Sequence, residues 1–310
     1  MGFNFNGMVK NYAFVFTGQG SQWVGMGKKV YENNQNFKKI FDKCEEILNF
    51  PLKKLCFEGP IEILTKTVYA QPAILSFSIG IFEIVKEKIK EKPLCAFGHS
   101  LGEFIALYAA KVLSFEDVLE IVKERGRLMN EAGEKFPGSM AAMIGINKEE
   151  VEEIIKEKGF KFCVIANYNS PSQIVISGKK EEVDETVKEI KEKKKGKVIP
   201  LVVSAAFHSP LMDEPAKIFS NYLVNKDFKK PDFPIIQNAT GSVETEPEII
   251  KKNVMKQLNS PVLFTKCVEK AWEIGVRSFI EIGPKEILTK LIKETIKEAE
   301  VFYIKEEDVF

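Results

Sequence analysis

An α/β protein whose main sheet is mostly parallel is what this sequence predicts, and three features carry the prediction. Short apolar runs alternate with helical periods along most of the 310 residues, which places helices on both faces of a buried sheet. One of those runs ends in Gly98-His99-Ser100-Leu101-Gly102, a serine between two glycines that leads straight into an apolar helical segment. From Ser139 onward the pattern changes to β-α-β-β-α-β, the order of a ferredoxin-like unit. The expected organisation is a larger α/β domain formed by residues 1–137 and 205–310, with an inserted ferredoxin-like subdomain at 138–204.

Tyr12 to Phe16 is an apolar run closed by the glycine-rich turn Thr17-Gly18-Gln19-Gly20-Ser21-Gln22, which reads as a strand and a loop. Helical periodicity follows from about Lys28 to Leu48 and, more briefly, from Ile61 to Lys66. Gln71-Pro72-Ala73 introduces a long apolar helix that runs to about Ile89. The strand before Ser100 and the helix after it, Phe104 to Val112, come next. A helix from Ser114 to about Ala132 follows, with Glu116 and Asp117 suited to its first turn. In the inserted part, strands are expected at Met140–Ile146, Phe162–Ala166, Gln173–Ser177 and Val198–Val203, and charged helices at Lys148–Lys158 and Glu181–Lys194. Beyond Ala205 the pattern gives a helix at Met212–Val224, a strand at Pro234–Asn238, helices around Glu246–Leu258 and Val262–Gly275, a strand at Ser278–Ile282 and a last helix from Glu286.

A hydrophobic content of 45% suits a chain with a real core. Lysine and arginine number 45 against 44 acidic residues, and a net charge of +1 argues against a nucleic-acid binder held by bulk electrostatics. Cys44, Cys56, Cys95, Cys163 and Cys267 are scattered and form no C-x-x-C pair, so neither a disulfide framework nor a metal site is expected. A reducing, cytoplasmic setting fits that usage. No apolar run is read as reaching the roughly 18 to 20 residues of a membrane span, and no signal peptide is read at the N-terminus. Met1-Gly2 lacks the Ser or Thr that a myristoylation motif needs at the sixth position, where Asn6 stands. Residues 1–7 read as an extension ahead of Met8. The run Lys188 to Lys197 reads as a solvated helix face braced by Glu–Lys pairs.

The chemistry centres on Ser100. A serine forced into a sharp strand-to-helix turn projects its hydroxyl out of the sheet, and the flanking glycines remove Cβ atoms that would block the turn. Such an elbow makes the larger domain α/β-hydrolase-like and points to acyl chemistry. A serine nucleophile needs a base, and the chain has two histidines. His99 adjoins Ser100, where neighbouring side chains diverge. His208, in a loop after an expected strand, is the better base. No acidic residue stands at a strand end between Ser100 and His208, so the pair is either a dyad oriented by a backbone carbonyl or a triad with an unrecognised third member. For the oxyanion, the N–H of Leu101 is one donor, and Gly18-Gln19-Gly20 is built for close backbone approach to supply another.

Gly18-Gln19-Gly20-Ser21-Gln22, Gln71-Pro72-Ala73, Gly98-His99-Ser100-Leu101-Gly102-Glu103, Arg125, Asn169-Ser170-Pro171, Phe207-His208-Ser209-Pro210-Leu211-Met212, Gln257 with Ser260-Pro261, and Glu281-Ile282-Gly283-Pro284 together resemble the malonyl-CoA:acyl carrier protein transacylases, in family order and over nearly the whole chain. The resemblance implies ping-pong transfer from malonyl-CoA through Ser100 to the phosphopantetheine thiol of acyl carrier protein, with no bound cofactor. It implies His208 as base, oriented by a main-chain carbonyl near Gln257, and an oxyanion hole at Gln19 and Leu101. Substrate contacts are implied at Arg125, Gln71, His99, Phe207 and Asn169. Arg125 gains a physical reason: a planar guanidinium binds the malonyl carboxylate through two parallel hydrogen bonds. Acyl carrier proteins are acidic, which makes Lys285 and the Lys191 to Lys197 cluster docking candidates. The chain departs from the family at Lys285, where a glycine is common, and at Ser172, where glycine is usual. A monomer serving fatty acid synthesis is expected, the stand-alone length favouring that pathway over polyketide assembly. The competing readings are a serine esterase or thioesterase, and a silent carrier-binding module of the same fold.

Overall fold

The computed structural model describes residues 10–193, 196–203 and 205–309. The expected extension at residues 1–7 lies outside them. The chain opens with β1 (Tyr12–Phe16) and five helices, α1 (Lys28–Asn33), α2 (Gln35–Leu48), α3 (Leu52–Glu58), α4 (Ile61–Leu64) and α5 (Thr67–Lys88). Next come β2 (Cys95–Gly98), α6 (Gly102–Ala109) and α7 (Phe115–Lys135). The middle of the chain holds β3 (Gly138–Ile144), α8 (Lys148–Glu157), β4 (Val164–Ser170), β5 (Gln173–Lys179), α9 (Lys180–Glu192) and β6 (Lys197–Pro200). It continues through α10 (Asp213–Val224), β7 (Ile235–Ile236), β8 (Val243–Glu244), α11 (Pro247–Lys256), α12 (Phe264–Glu273), β9 (Ser278–Ile282), α13 (Leu288–Thr295) and β10 (Glu300–Tyr303).

The larger sheet has the order β10-β9-β1-β2-β7-β8. It is parallel throughout except for the β7–β8 pair. The central strand β1 is buried along its whole length, as a parallel strand with helices on both faces must be. Its alternation sorts the core: Phe14 and Phe16 pack with Phe41, Phe82 and Phe104 from α2, α5 and α6, while Ala13 and Val15 join Phe264 and Leu288 from α12 and α13. β1 and β2 run side by side, Val15 opposite Phe97, so the loops that follow them emerge together at one edge of the sheet. That edge is where α/β sheets place their sites.

The second sheet is antiparallel, in the order β4-β5-β3-β6. Its outer face carries Ala141, Met143 and Ile176 against Val151, Ile154, Val183 and Ile190 of α8 and α9. Met140, Ala142 and Val175 on the other face belong to the core of the larger part. A backbone bridge also joins the two: Val262 N donates to Ala166 O at 2.8 Å, and Tyr168 N donates to Val262 O at 2.9 Å.

Several expected boundaries move. The single helix expected from Lys28 to Leu48 is broken at Asn34, whose carboxamide oxygen accepts from the N–H groups of Asn36 and Phe37 and so caps α2. The segment between Asn49 and Pro60, where the sequence pattern gives no element, forms α3, and β10, which that pattern also does not give, adds a strand at the sheet edge. The apolar helix begins at Thr67, so Pro72 lies inside it. With 22 residues, α5 is long and apolar enough to cross a membrane, contrary to the expectation that no segment is, yet 83% of its most apolar window is buried inside the protein. It packs against α2, α6 and α7. The last helix starts at Leu288 because Glu281, at the end of β9, accepts hydrogen bonds from the N–H groups of Ile287, Leu288 and Thr289 and from the Thr289 hydroxyl. The strand expected to reach Val203 stops at Pro200.

Glycine is required at the elbow for want of space. A Cβ on Gly102 would lie 2.0 Å from Phe16 O, and one on Gly98 would lie 2.2 Å from the Gly102 carbonyl carbon. Gly102→Ala is expected to destabilise the fold by at least the roughly 1–3 kcal/mol of an overpacked core, measured as a lowered urea midpoint with unchanged m-value. Full retention of stability would show that the elbow helix can shift away from β1.

Candidate active site

Ser100 sits at the turn between β2 and α6 with φ of 52°, a left-handed backbone that a serine adopts only under constraint. His208 is held the same way, with φ of 57°. Their side chains meet, Ser100 Oγ lying 2.8 Å from His208 Nε2. The other ring nitrogen, Nδ1, is 3.0 Å from both Gln257 O and Ser260 O. Carbonyl oxygens only accept, so Nδ1 carries the proton and Nε2 presents a lone pair to the serine hydroxyl. The position of a triad acid is filled by main-chain carbonyls.

Two residues that the sequence reading assigned no role hold this geometry. Asn238 Oδ1 accepts from Ser100 N at 2.7 Å while its Nδ2 donates to Gly98 O at 2.8 Å, so one side chain grips both sides of the turn. Glu103, 1% exposed, accepts from Asn238 N at 3.0 Å, from Gln237 Nε2 at 3.2 Å and from Gln257 Nε2 at 2.9 Å. Burial raises the Glu103 pKa, against the lowering effect of those bonds and of the Arg125 charge. The available signals were slight: Asn238 is the last residue of the strand expected at Pro234–Asn238, and Glu103 is the lone charge in an apolar helix.

Arg125, on α7, is 1% exposed and points at the same spot. One terminal nitrogen donates to Gln71 Oε1 at 2.5 Å; the other donates to Ser100 Oγ at 2.9 Å and to Gln257 Oε1 at 3.0 Å. Its Nε is buried with no hydrogen-bond partner among the described residues, and the guanidinium lies 5.3 Å from the centre of the Phe104 ring. Burial lowers the Arg125 pKa to about 9, with Glu103 pulling the other way. Burial also lowers the His208 pKa to about 3, and the positive charge of Arg125 adds to the effect.

Gln19 lies on the loop after β1, where Gly18 passes so close to the elbow that a Cβ would come 2.4 Å from His99 O. Its carboxamide oxygen accepts from the Thr67 hydroxyl at 2.8 Å, and that hydroxyl accepts from Gln71 Nε2 at 2.8 Å. Among the described residues the backbone N–H groups of Gln19 and Leu101 donate to no backbone or side-chain acceptor. Ser100, His208, Arg125, Gln19, His99 and Phe207 all line one cavity of about 340 Å³ between the two sheets. His99 turns away from the serine: its Nε2 is 2.8 Å from Asn169 Oδ1 and its ring lies 5.5 Å from that of Phe264. Asn169 lines a second, adjoining cavity of about 300 Å³ rather than the first. Ser172, the departure noted above, donates to Glu294 at 2.9 Å beside Ser170 at 2.6 Å, pinning the β4–β5 hairpin to α13. Lys285 is exposed, as are Lys191, Lys193 and Lys197, while Lys194 and Lys195 lie outside the described residues. Among the described residues no group of three or more His, Cys, Asp or Glu side chains comes together to hold a metal.

A histidine lone pair on a serine hydroxyl at a strand-to-helix elbow, with two free N–H groups and a buried cation beside it, defines a site equipped for acyl transfer on an α/β scaffold. The chain belongs to the acyl transferase domain family, which matches residues 13–308. It is 42% identical over 289 residues to the malonyl CoA-acyl carrier protein transacylase of Bacillus subtilis (strain 168), a likeness that spans 92% of this chain and 90% of that protein. Among solved structures, the acyl carrier protein S-malonyltransferase of Vibrio cholerae O1 biovar eltor matches with a TM-score of 0.91 at 36% identity, covering 96% of this chain and 97% of the other. A malonyl-transacylase in complex with its type II PKS acyl-carrier protein matches with a TM-score of 0.91 at 34% identity, covering 95% and 96% of the two chains.

The depressed pKa of His208 has two pH consequences of definite sign. The ring stays neutral in the folded protein well below its ordinary value of 6.5, so the rate of Ser100 labelling by a fluorophosphonate probe is expected to hold from pH 7 down past 6, with no half-loss near 6.5. The unfolded chain, by contrast, takes up the proton near 6.5. The stability contributed by burying the neutral ring is therefore complete above 6.5 and is lost as pH falls toward about 3. A labelling profile that halves near pH 6.5 would show that the ring is protonated at its ordinary pKa. Melting temperatures of His208→Asn, compared with the unsubstituted protein across the same range, should fall less steeply in acid.

Proposed function

We propose that this chain moves the malonyl group of malonyl-CoA to the phosphopantetheine thiol of acyl carrier protein, in a ping-pong sequence through an ester on Ser100. The observation that carries the reading is the Arg125 guanidinium: a buried cation whose hydrogen-bond partners, two carboxamide oxygens and Ser100 Oγ, are all uncharged. Such a group calls for an anion, and an acyl chain ending in a carboxylate brings one to within reach of the serine. The names of the Bacillus and Vibrio relatives support the same cargo and carrier.

In this reading Ser100 Oγ attacks the thioester carbonyl while His208 Nε2 takes the hydroxyl proton. The N–H groups of Gln19 and Leu101 receive the developing oxyanion. Collapse expels the CoA thiolate, which takes the proton from His208. The carrier's thiol then attacks the serine ester, passes its proton to His208, and Ser100 recovers it as the malonyl thioester leaves. Gln71 and Gln257 hold the guanidinium in place, and Phe207 and His99 shape the wall around the acyl group. Burial is the main cause of the low His208 pKa, and a carboxylate on Arg125 would offset the positive charge that adds to it.

The same proposal covers architecture. The β-α-β-β-α-β order and the β4-β5-β3-β6 antiparallel sheet support a ferredoxin-like subdomain at 138–204, inserted between the parts 1–137 and 205–310 of an α/β-hydrolase-like domain. We assign the pathway served to fatty acid synthesis in the cytoplasm, with the protein acting as a monomer and without a cofactor.

Incubation with malonyl-CoA is expected to leave a malonyl ester on Ser100, read by peptide mass spectrometry; CoA binding with no adduct there would overturn the reading. Arg125→Ala is expected to slow malonyl loading by roughly 10- to 100-fold, the scale of one charge-assisted contact, while acetyl loading holds or rises. Equal losses for the two acyl groups would remove the carboxylate from the argument.

A further inference from the structure

The two cavities share four lining residues, Gln19, His99, Asn167 and Leu201. Among them Asn167 stands out. It is 8% exposed, and its Oδ1 is buried with no hydrogen-bond partner among the described residues. His99 and Gln19, by comparison, are engaged with Asn169 and Thr67. Asn167 lies on β4 where the register with β5 slips between Ile165 and Asn167, an irregularity of the kind that re-aims a side chain away from the ladder. A buried carboxamide oxygen left unpaired is costly, and a ligand N–H that reaches it recovers the lost bond.

We propose that Asn167 is a binding residue for the thiol arm: its Oδ1 accepts from the secondary amide nearest the sulfur, whether the arm belongs to CoA or to the carrier protein. This deepens the reading given under Proposed function and rests on it. The acyl end is fixed on the side where Ser100 and Arg125 line only the first cavity. An extended arm leaving the thioester then passes the waist between the cavities, and the cysteamine amide is its first polar group beyond the sulfur. Donor and acceptor of the acyl group carry the same arm, so one acceptor oxygen serves both half-reactions. A pure alkyl thiol arm would leave Oδ1 unpaired.

The test compares Ser100 loading from two malonyl thioesters, that of N-acetylcysteamine and that of its N-methylated form, which lacks the amide hydrogen. With the unsubstituted protein, N-methylation is expected to lower kcat/KM about tenfold, the scale of one hydrogen bond to a buried acceptor. Asn167→Leu should show a similar loss with the parent thioester and no further loss on methylation, the non-additivity expected of two groups that touch. Asn167→Asp, which keeps an acceptor oxygen, should restore the sensitivity to methylation, and Asn167→Ala replaces the leucine variant should that one not fold. Equal rates for the two thioesters with the unsubstituted protein would overturn the assignment without any variant, as would an undiminished methylation effect in Asn167→Leu or Asn167→Ala. Failure to load from malonyl-CoA itself would overturn the proposed function, and the Asn167 assignment with it; normal loading from malonyl-CoA with indifference to methylation would overturn the Asn167 assignment alone.

Discussion

A carboxylate buried at the foot of the elbow helix, Glu103, ties together the segments that carry Ser100, His208 and Arg125. Through Asn238 it reaches the backbone on both sides of Ser100; through Gln257 it reaches the Ser100 carbonyl, the Arg125 guanidinium and, by way of the Gln257 main chain, the His208 ring. These segments are far apart in sequence: the turn after β2, α7, the loop ahead of α10, the residues after β7 and the end of α11. A carboxylate withdrawn from water tolerates only positions in which donors surround it, so it fixes the groups around it as firmly as they hold it. The serine's left-handed backbone, strained by itself, is sustained by this scaffold.

The electrostatics of the pocket follow from the same burial. A cation and an imidazole share a water-poor space: burial first, and then the guanidinium charge, keep the ring neutral, and the pair of main-chain carbonyls orients it without adding the negative charge an aspartate would bring. An acid behind His208 would place a second negative charge near Arg125, beside the one that Glu103 already supplies. Carbonyl dipoles leave that cation available.

Much of the fold was legible from period and punctuation alone. The strand Ser278–Ile282 emerges with its expected ends, because it is an apolar run bounded by a turn on each side. Ser100 and His208 were legible as candidates from residue type and local sequence, with the likeness to a family agreeing, whereas Arg125 was legible through that likeness alone, because an arginine within a charged helix carries no local mark of burial. What could not be read depends on neighbours that adjoin only in space. Nothing local marks Asn238 as the clamp on the elbow until β7 is known to lie beside β2. Nothing in Asn34 distinguishes a helix interior from a cap until α1 and α2 turn apart. The apolar character of α5 likewise has no meaning without the helices packed around it.

The short bridge between Ala166, Tyr168 and Val262 couples the two sheets at a sensitive place. Ser260, whose carbonyl steers the His208 ring, stands two residues ahead of Val262 in the chain, and Asn167 occupies the facing position on β4. The smaller sheet is thus tied to the short stretch of chain that carries the carbonyl accepting from His208 Nδ1, so the position of one constrains the other. Two backbone hydrogen bonds outside either sheet's own ladder therefore stand between the placement of the smaller sheet and the aim of the imidazole.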